Sequence, residues 1–172
     1  MNKRSRISVA IAAALLLALG SGYTIGMQQH AEDQAGVGSI KVSYAFDVND
    51  KRKLMKYGNE VFVAEVLHVA RTDAKASTTV WRVKVIKSIK GSRSGEVLVR
   101  QLGYVDANKK AHVVEDQDLL VPGTRRLLVT TRTADADVNT LVGGAASVAD
   151  VASPARERLV VAEYAKALRD AK

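Results

Sequence analysis

Thr79-Val80-Trp81-Arg82-Val83-Lys84-Val85-Ile86-Lys87-Ser88-Ile89 is the stretch that decides the fold. In an extended chain Trp81, Val83 and Val85 fall on one face, and Arg82 and Lys84 fall on the other. This period of two predicts a strand with a buried side and a solvated, basic side. The polar run Thr72 to Ser77 precedes it and turns the chain. Before that turn, Glu60 to Arg71 reads as another strand. Val61, Val63, Leu67 and Val69 share one of its faces, and Phe62, Ala64 and Val66 share the other. Apolar residues on both faces imply burial on both sides, or a strand bending across a barrel.

Outward from this pair the pattern continues. Gly91, Ser92, Ser94 and Gly95 form a turn, and Glu96 to Leu102 is a third strand that ends at Gly103. Tyr104 to Val114 reads as a hairpin with its tip near Asp106-Ala107-Asn108-Lys109. Residues 115–118 read as an acidic loop. Pro122-Gly123 introduces a fourth strand, Arg125 to Arg132, and Thr140 to Val142 begins a fifth that stops at Gly143-Gly144.

Two helices flank the strands. Asp47 to Tyr57 contains a short one, with Asp47, Asn49 or Asp50 as cap, Leu54 and Tyr57 on one face and Gly58 at its end. The second runs over 154–171. Ser153 caps it, Pro154 takes the first helical position, and Leu159, Val160, Ala162, Tyr164, Ala165 and Leu168 give an apolar stripe. Ile40 to Phe46 alternates as a short first strand would. There is no internal repeat. The expected fold is mainly β (α+β): a small five- to six-stranded barrel with a short N-terminal helix and a C-terminal amphipathic helix.

The segment order resembles a known class. Val61-Phe62-Val63-Ala64-Glu65-Val66 precedes an aromatic-basic strand ending Lys90-Gly91. Val97-Leu98-Val99-Arg100 then leads to Gly103, and Val121-Pro122-Gly123-Thr124 leads into Leu127-Leu128-Val129. Over residues 60–145 this is similar to small exported bacterial proteins with an OB-like barrel, related in shape to the tissue-inhibitor-of-metalloproteinases and netrin module. The resemblance implies the barrel. It does not imply protease inhibition, because animal inhibitors of that class chelate the protease metal through an N-terminal cysteine and this chain has none.

The N-terminus indicates location. Residues 1–27 open with Lys3, Arg4 and Arg6 and continue as an apolar stretch from Ile7 to Met27, the pattern of a signal peptide or signal anchor. Val9 to Leu19 has the length of a signal-peptide core. Ala18-Leu19-Gly20 suits cleavage before Ser21, which would release a secreted protein. Retained as a helix, Ile7 to Met27 reaches about 31 Å at about 1.5 Å per residue, enough to anchor the chain with its N-terminus cytoplasmic. Both outcomes place the body, 40–172, outside the cytoplasm behind a linker over 28–39. The absence of cysteine excludes a lipoprotein anchor, disulfides, thiol catalysis and Cys-rich zinc sites.

The formal net charge is +8, and the leader contributes three basic residues and no acidic one. Residues 61–100 hold eight basic and three acidic side chains, an excess that equals the remaining +5. Such local excess points to an anionic neighbour. Arg82, Lys84, Lys87, Lys90, Arg93 and Arg100 are the candidate binding residues. An anionic envelope polymer, lipid headgroups or an acidic protein suits them. Nucleic acid does not, given export and the scarcity of exposed aromatics. The competing interpretation is a solvated face that keeps the barrel soluble.

Motifs for chemistry are missing. Gly91-Ser92-Arg93-Ser94-Gly95 puts Arg93 where a nucleophile elbow needs serine. Gly36-Val37-Gly38 opens no phosphate cradle, because Lys41 falls where the third glycine belongs. Asp135-x-Asp137-x-Asn139 starts like a calcium loop but has Thr140 and Ala146 where glycine and glutamate belong. His112 lies near Glu115, Asp116 and Asp118 in a solvated acidic loop. The expectation is a non-enzymatic interaction module at the cell envelope, with no cofactor and no metal. The alternatives are an adaptor or inhibitor acting through barrel loops, and an enzyme without a recognisable motif.

Overall fold

The computed structural model describes residues 37–114, 117–132 and 137–171. The expected leader and the expected linker up to residue 36 lie outside the described residues.

The described chain runs β1 (Val37–Ile40), α1 (Lys51–Tyr57), β2 (Glu60–Asp73), β3 (Thr78–Lys90), β4 (Glu96–Leu102), β5 (Tyr104–Val105), β6 (Ala111–Val114), β7 (Arg125–Arg132), β8 (Val138–Leu141), a 3-10 turn at Ala145–Ser147, β9 (Val148–Asp150) and α2 (Pro154–Asp170). β2, β3, β4, β8 and β7 are hydrogen-bonded in that order, and β7 pairs back onto β2, so five strands close a barrel. Every joint of the ring is antiparallel except β4–β8, which is parallel. β9 extends the ring beside β7. A small separate sheet has the order β1-β6-β5, with β1 parallel to β6.

The alternation in the sequence divides the apolar side chains between two cores. Phe62, Ala64, Val66, Trp81, Val83, Val99 and Leu128 fill the barrel, together with Val113, Val114, Leu119 and Leu120 from its end. Val61, Val63, Leu127 and Val129 point outward from β2 and β7 and meet Leu54, Met55, Val160, Tyr164 and Ala167 of the helices. The two-faced apolar pattern of β2 therefore does mean burial on both sides. Both helices lie on this β2–β7 side.

Polar groups inside the barrel end are tied together. Gln101 is fully buried. Its Oε1 accepts from Trp81 Nε1 and Leu120 N, both at 3.0 Å, and its Nε2 donates to Asp118 O at 2.7 Å. This pins the plug 118–120 to the barrel wall and offsets the cost of burying the amide.

Several boundaries differ from expectation. The first strand is Val37–Ile40, not Ile40 to Phe46. Gly38 allows β1 to approach β6 closely, because a Cβ there would meet the imidazole of His112. Val42 and Tyr44 then pack on the barrel core and Phe46 on the helix core, so the alternation over 40–46 reflects packing of irregular chain. In α1 the buried side chains are Leu54 and Met55. Tyr57 is half exposed and stacks on Phe46, with ring centroids 4.0 Å apart. In α2, Val160, Tyr164 and Ala167 are buried, whereas Leu159 is 67 % exposed. Ser153 and Pro154 do start α2 as read from the sequence, with Ser153 Oγ accepting from Arg156 N at 3.2 Å.

Candidate functional site

Opposed residues in a β-ladder share a face, so the register places the basic side chains. On β3, Arg82 lies opposite Leu98 of β4 and His68 of β2, and Lys84 lies opposite Glu96 and Glu65. Val80 lies opposite Arg100 and Arg71. Trp81 alternates with these positions and is 4 % exposed, inside the barrel. The outer wall of β2–β3–β4, away from the helices, therefore gathers Arg71, Arg82, Lys84 and Arg100. Glu65, Glu96 and Asp73, which lies opposite Thr78, are its acidic members, and Arg82 Nη1 lies 3.4 Å from Glu96 Oε2. The wall keeps a net positive charge, and Lys84 is exposed on it.

The other three candidates lie elsewhere. Lys90 Nζ donates to Met55 O and Gly58 O, both at 2.6 Å. It thus satisfies carbonyls at the C-terminal end of α1, where a cation is favourable. Arg93 lies beside Glu60, with Nε 3.9 Å from Oε1. Lys87 is exposed on the part of β3 that passes beyond β4.

Glu60 is a functional-looking residue that the strand pattern hid. It is 1 % exposed at the start of β2. Its Oε1 accepts from Arg132 Nη2 at 2.6 Å and Nε at 3.1 Å, and its Oε2 accepts from Ser92 N at 3.0 Å. This is a structural clamp between β2, β7 and the 91–95 turn. Both of its oxygens accept charge-assisted or backbone hydrogen bonds and the carboxylate is buried, so it serves as an ion-paired anchor. The only hint in the sequence was an acidic residue opening an otherwise apolar run.

His112 is the other group with catalytic chemistry. Its Nε2 lies 3.0 Å from Asp106 Oδ2, and its ring stacks on Tyr104 with centroids 4.6 Å apart. The hydrogen bond from His112, with backbone donors Lys110 N and Asn108 N, holds the Asp106 carboxyl below its usual range. A Cβ at Gly38 would meet Nδ1, Cε1 and Cγ of the ring, so the imidazole packs against Gly38 of β1. With Nε2 paired to Asp106 and the ring packed on Gly38 and Tyr104, His112 fastens the β5–β6 hairpin to β1. Among the described residues no three His, Asp or Glu side chains converge as a metal site. Among them too, no helix is long and apolar enough to cross a membrane.

No protein-family model matches the chain, and no curated protein matches it. The barrel presents two different walls, one covered by helices and the other carrying charge.

Proposed function

We propose that this protein is a non-enzymatic interaction module of the cell envelope, exported by its leader, and that the outer wall of β2–β3–β4 binds an anionic partner. The observation that carries this reading is the segregation of the barrel's exterior. The β2–β7 side is apolar and buried under α1 and α2. The β3–β4 side has Arg82, Lys84 and Arg100 in register, with Arg71 beside them. Charge concentrated on one wall steers and holds a partner of opposite sign better than scattered charge does.

The barrel supports an OB-like assignment. Its five strands close in the order first, second, third, fifth, fourth, with the third and fifth parallel. In OB-folds the face of the second and third strands is a common ligand surface. Those strands are β3 and β4 here. The similarity to the tissue-inhibitor-of-metalloproteinases and netrin module is part of the same proposal and concerns shape alone.

Retention on cell-envelope fractions at low and high salt tests the reading. Binding that is present at low ionic strength and falls steeply as salt rises is the expected result. Absent retention, or retention indifferent to salt, overturns it.

A further inference from the structure

The basic wall ends in an unpaired strand edge. β2 pairs with β7 only over Glu60 to Glu65. The turn Val121 to Thr124 then closes the covered stretch, with Val66 N donating to Thr124 O at 2.9 Å and Gly123 N donating to Val66 O at 2.8 Å. Beyond it, among the described residues, His68 to Asp73 pairs with β3 alone. All six of these residues are exposed. An antiparallel ladder uses one edge of a strand, so the other edge of this segment presents backbone donors and acceptors to solvent.

We propose that this edge takes up an extended acidic peptide segment of a partner protein as an added strand, resting on the reading of the wall as an anion-binding surface. Two features select that occupant. The first is charge. A strand laid beside β2 places alternate side chains on the outer face, next to Arg71 and in the same rows as Arg82 and Arg100. Lys75 is exposed in the adjoining turn. Against Arg71 and Lys75 stands one acidic residue at that end, Asp73, whose Oδ1 accepts from Ala76 N at 3.0 Å, so the balance there stays positive. Acidic side chains on the incoming strand meet this excess.

The second feature is the opposite face. Val69, which lies opposite the buried Trp81, is 44 % exposed. Val121, in the turn that bonds to Val66, is 36 % exposed. An incoming strand that alternates acidic with apolar residues covers these valines with one side while pairing its charges on the other. Main-chain bonds then supply affinity and the alternation supplies selectivity.

A second copy of the same edge fits less well, because it would bring Arg71 and Lys75 into a surface that already carries them.

A dye-labelled, end-capped peptide of alternating valine and glutamate, seven residues long, tests the proposal by fluorescence anisotropy against the full chain at low salt. Saturable binding is expected. It weakens about tenfold with Arg71→Glu and about tenfold when alternate peptide nitrogens are methylated, and it disappears when lysine replaces glutamate. The methylated peptide probes strand addition without altering the protein. Equal binding of the methylated peptide overturns the proposal, because charge alone would then account for it. So does displacement by linear polyphosphate that is insensitive to Arg71→Glu, which identifies a polymer held elsewhere on the wall. If salt-dependent envelope retention persists while no peptide binds, the wall remains the anion site and the added strand is refuted.

Discussion

Glu60 and Gly91 illustrate how a single pair can set local geometry. Gly91 has φ +83°, a conformation that costs a residue with a Cβ about 1–2 kcal/mol. A Cβ there would also meet the Glu60 carboxylate, which two arginines and Ser92 N already hold in place. Gly91→Ala is expected to destabilise the fold by about 2–3 kcal/mol in urea denaturation. Gly95→Ala is the control. Gly95 also has positive φ but open space around it, so only the backbone cost, about 1 kcal/mol, should appear. Tyr164 gives a residue-scale pH prediction. Burial, with a smaller contribution from Glu163, pushes its phenol up to about 12, and its hydroxyl donates to Ala146 O at 2.5 Å. The neutral form is favoured in the folded state. Its stabilisation is full below the unfolded phenol's ordinary pKa of about 10 and is lost as pH rises from there through about 12. Denaturation measured between pH 8 and pH 12 should show this fall in wild type. Tyr164→Phe should start about 1 kcal/mol less stable at pH 8 and show a shallower alkaline decline.

Among the elements, α2 does the most to hold the helix layer on the barrel. Val160, Tyr164 and Ala167 recur on one face and cover Val61, Val63, Leu127 and Val129. Ser153 caps the first turn, and Lys51 of α1 meets Glu163 at 2.6 Å. Ser153→Ala should cost about 1 kcal/mol of stability, read as a lower melting temperature without loss of the barrel's circular dichroism. How much of the fold the sequence reveals depends on locality. β4 and β7 match their expected bounds; Ser94-Gly95 and Gly103 delimit the first, and Pro122-Gly123 introduces the second. Ser153 was legible as the cap of α2, whereas Asp50, which caps α1, was one of three candidates. β1 and β9 escaped because strands of four and three residues have too little period to be seen, and both depend on distant partners. The parallel β4–β8 joint that closes the ring has no local signature at all. Among the candidate site residues, Arg82 and Lys84 lie where alternation put them. Lys90 does not join them, because register shifts near Val61 and Val63 break simple parity and leave its ammonium beside the α1 carbonyls.

For the molecule as a whole, the barrel has two exteriors with different chemistry. Helices bury one, and arginine and lysine mark the other. The basic excess over residues 61–100 is a sequence property, but its sorting between the open wall, the Glu60 clamp and the α1 terminus depends on three-dimensional contacts. The most direct measurement is therefore a comparison of charge reversals on opposite sides of the barrel. Arg82→Glu with Lys84→Glu on the open wall is set against Arg158→Glu with Lys166→Glu on the exposed surface of α2, each followed by retention on envelope fractions at low salt. Each pair changes the net charge equally. Loss of retention of about tenfold or more for the wall pair, with the helix pair close to wild type, is the expected result. Equal losses for the two pairs, or no loss for the wall pair in a folded protein, would contradict it.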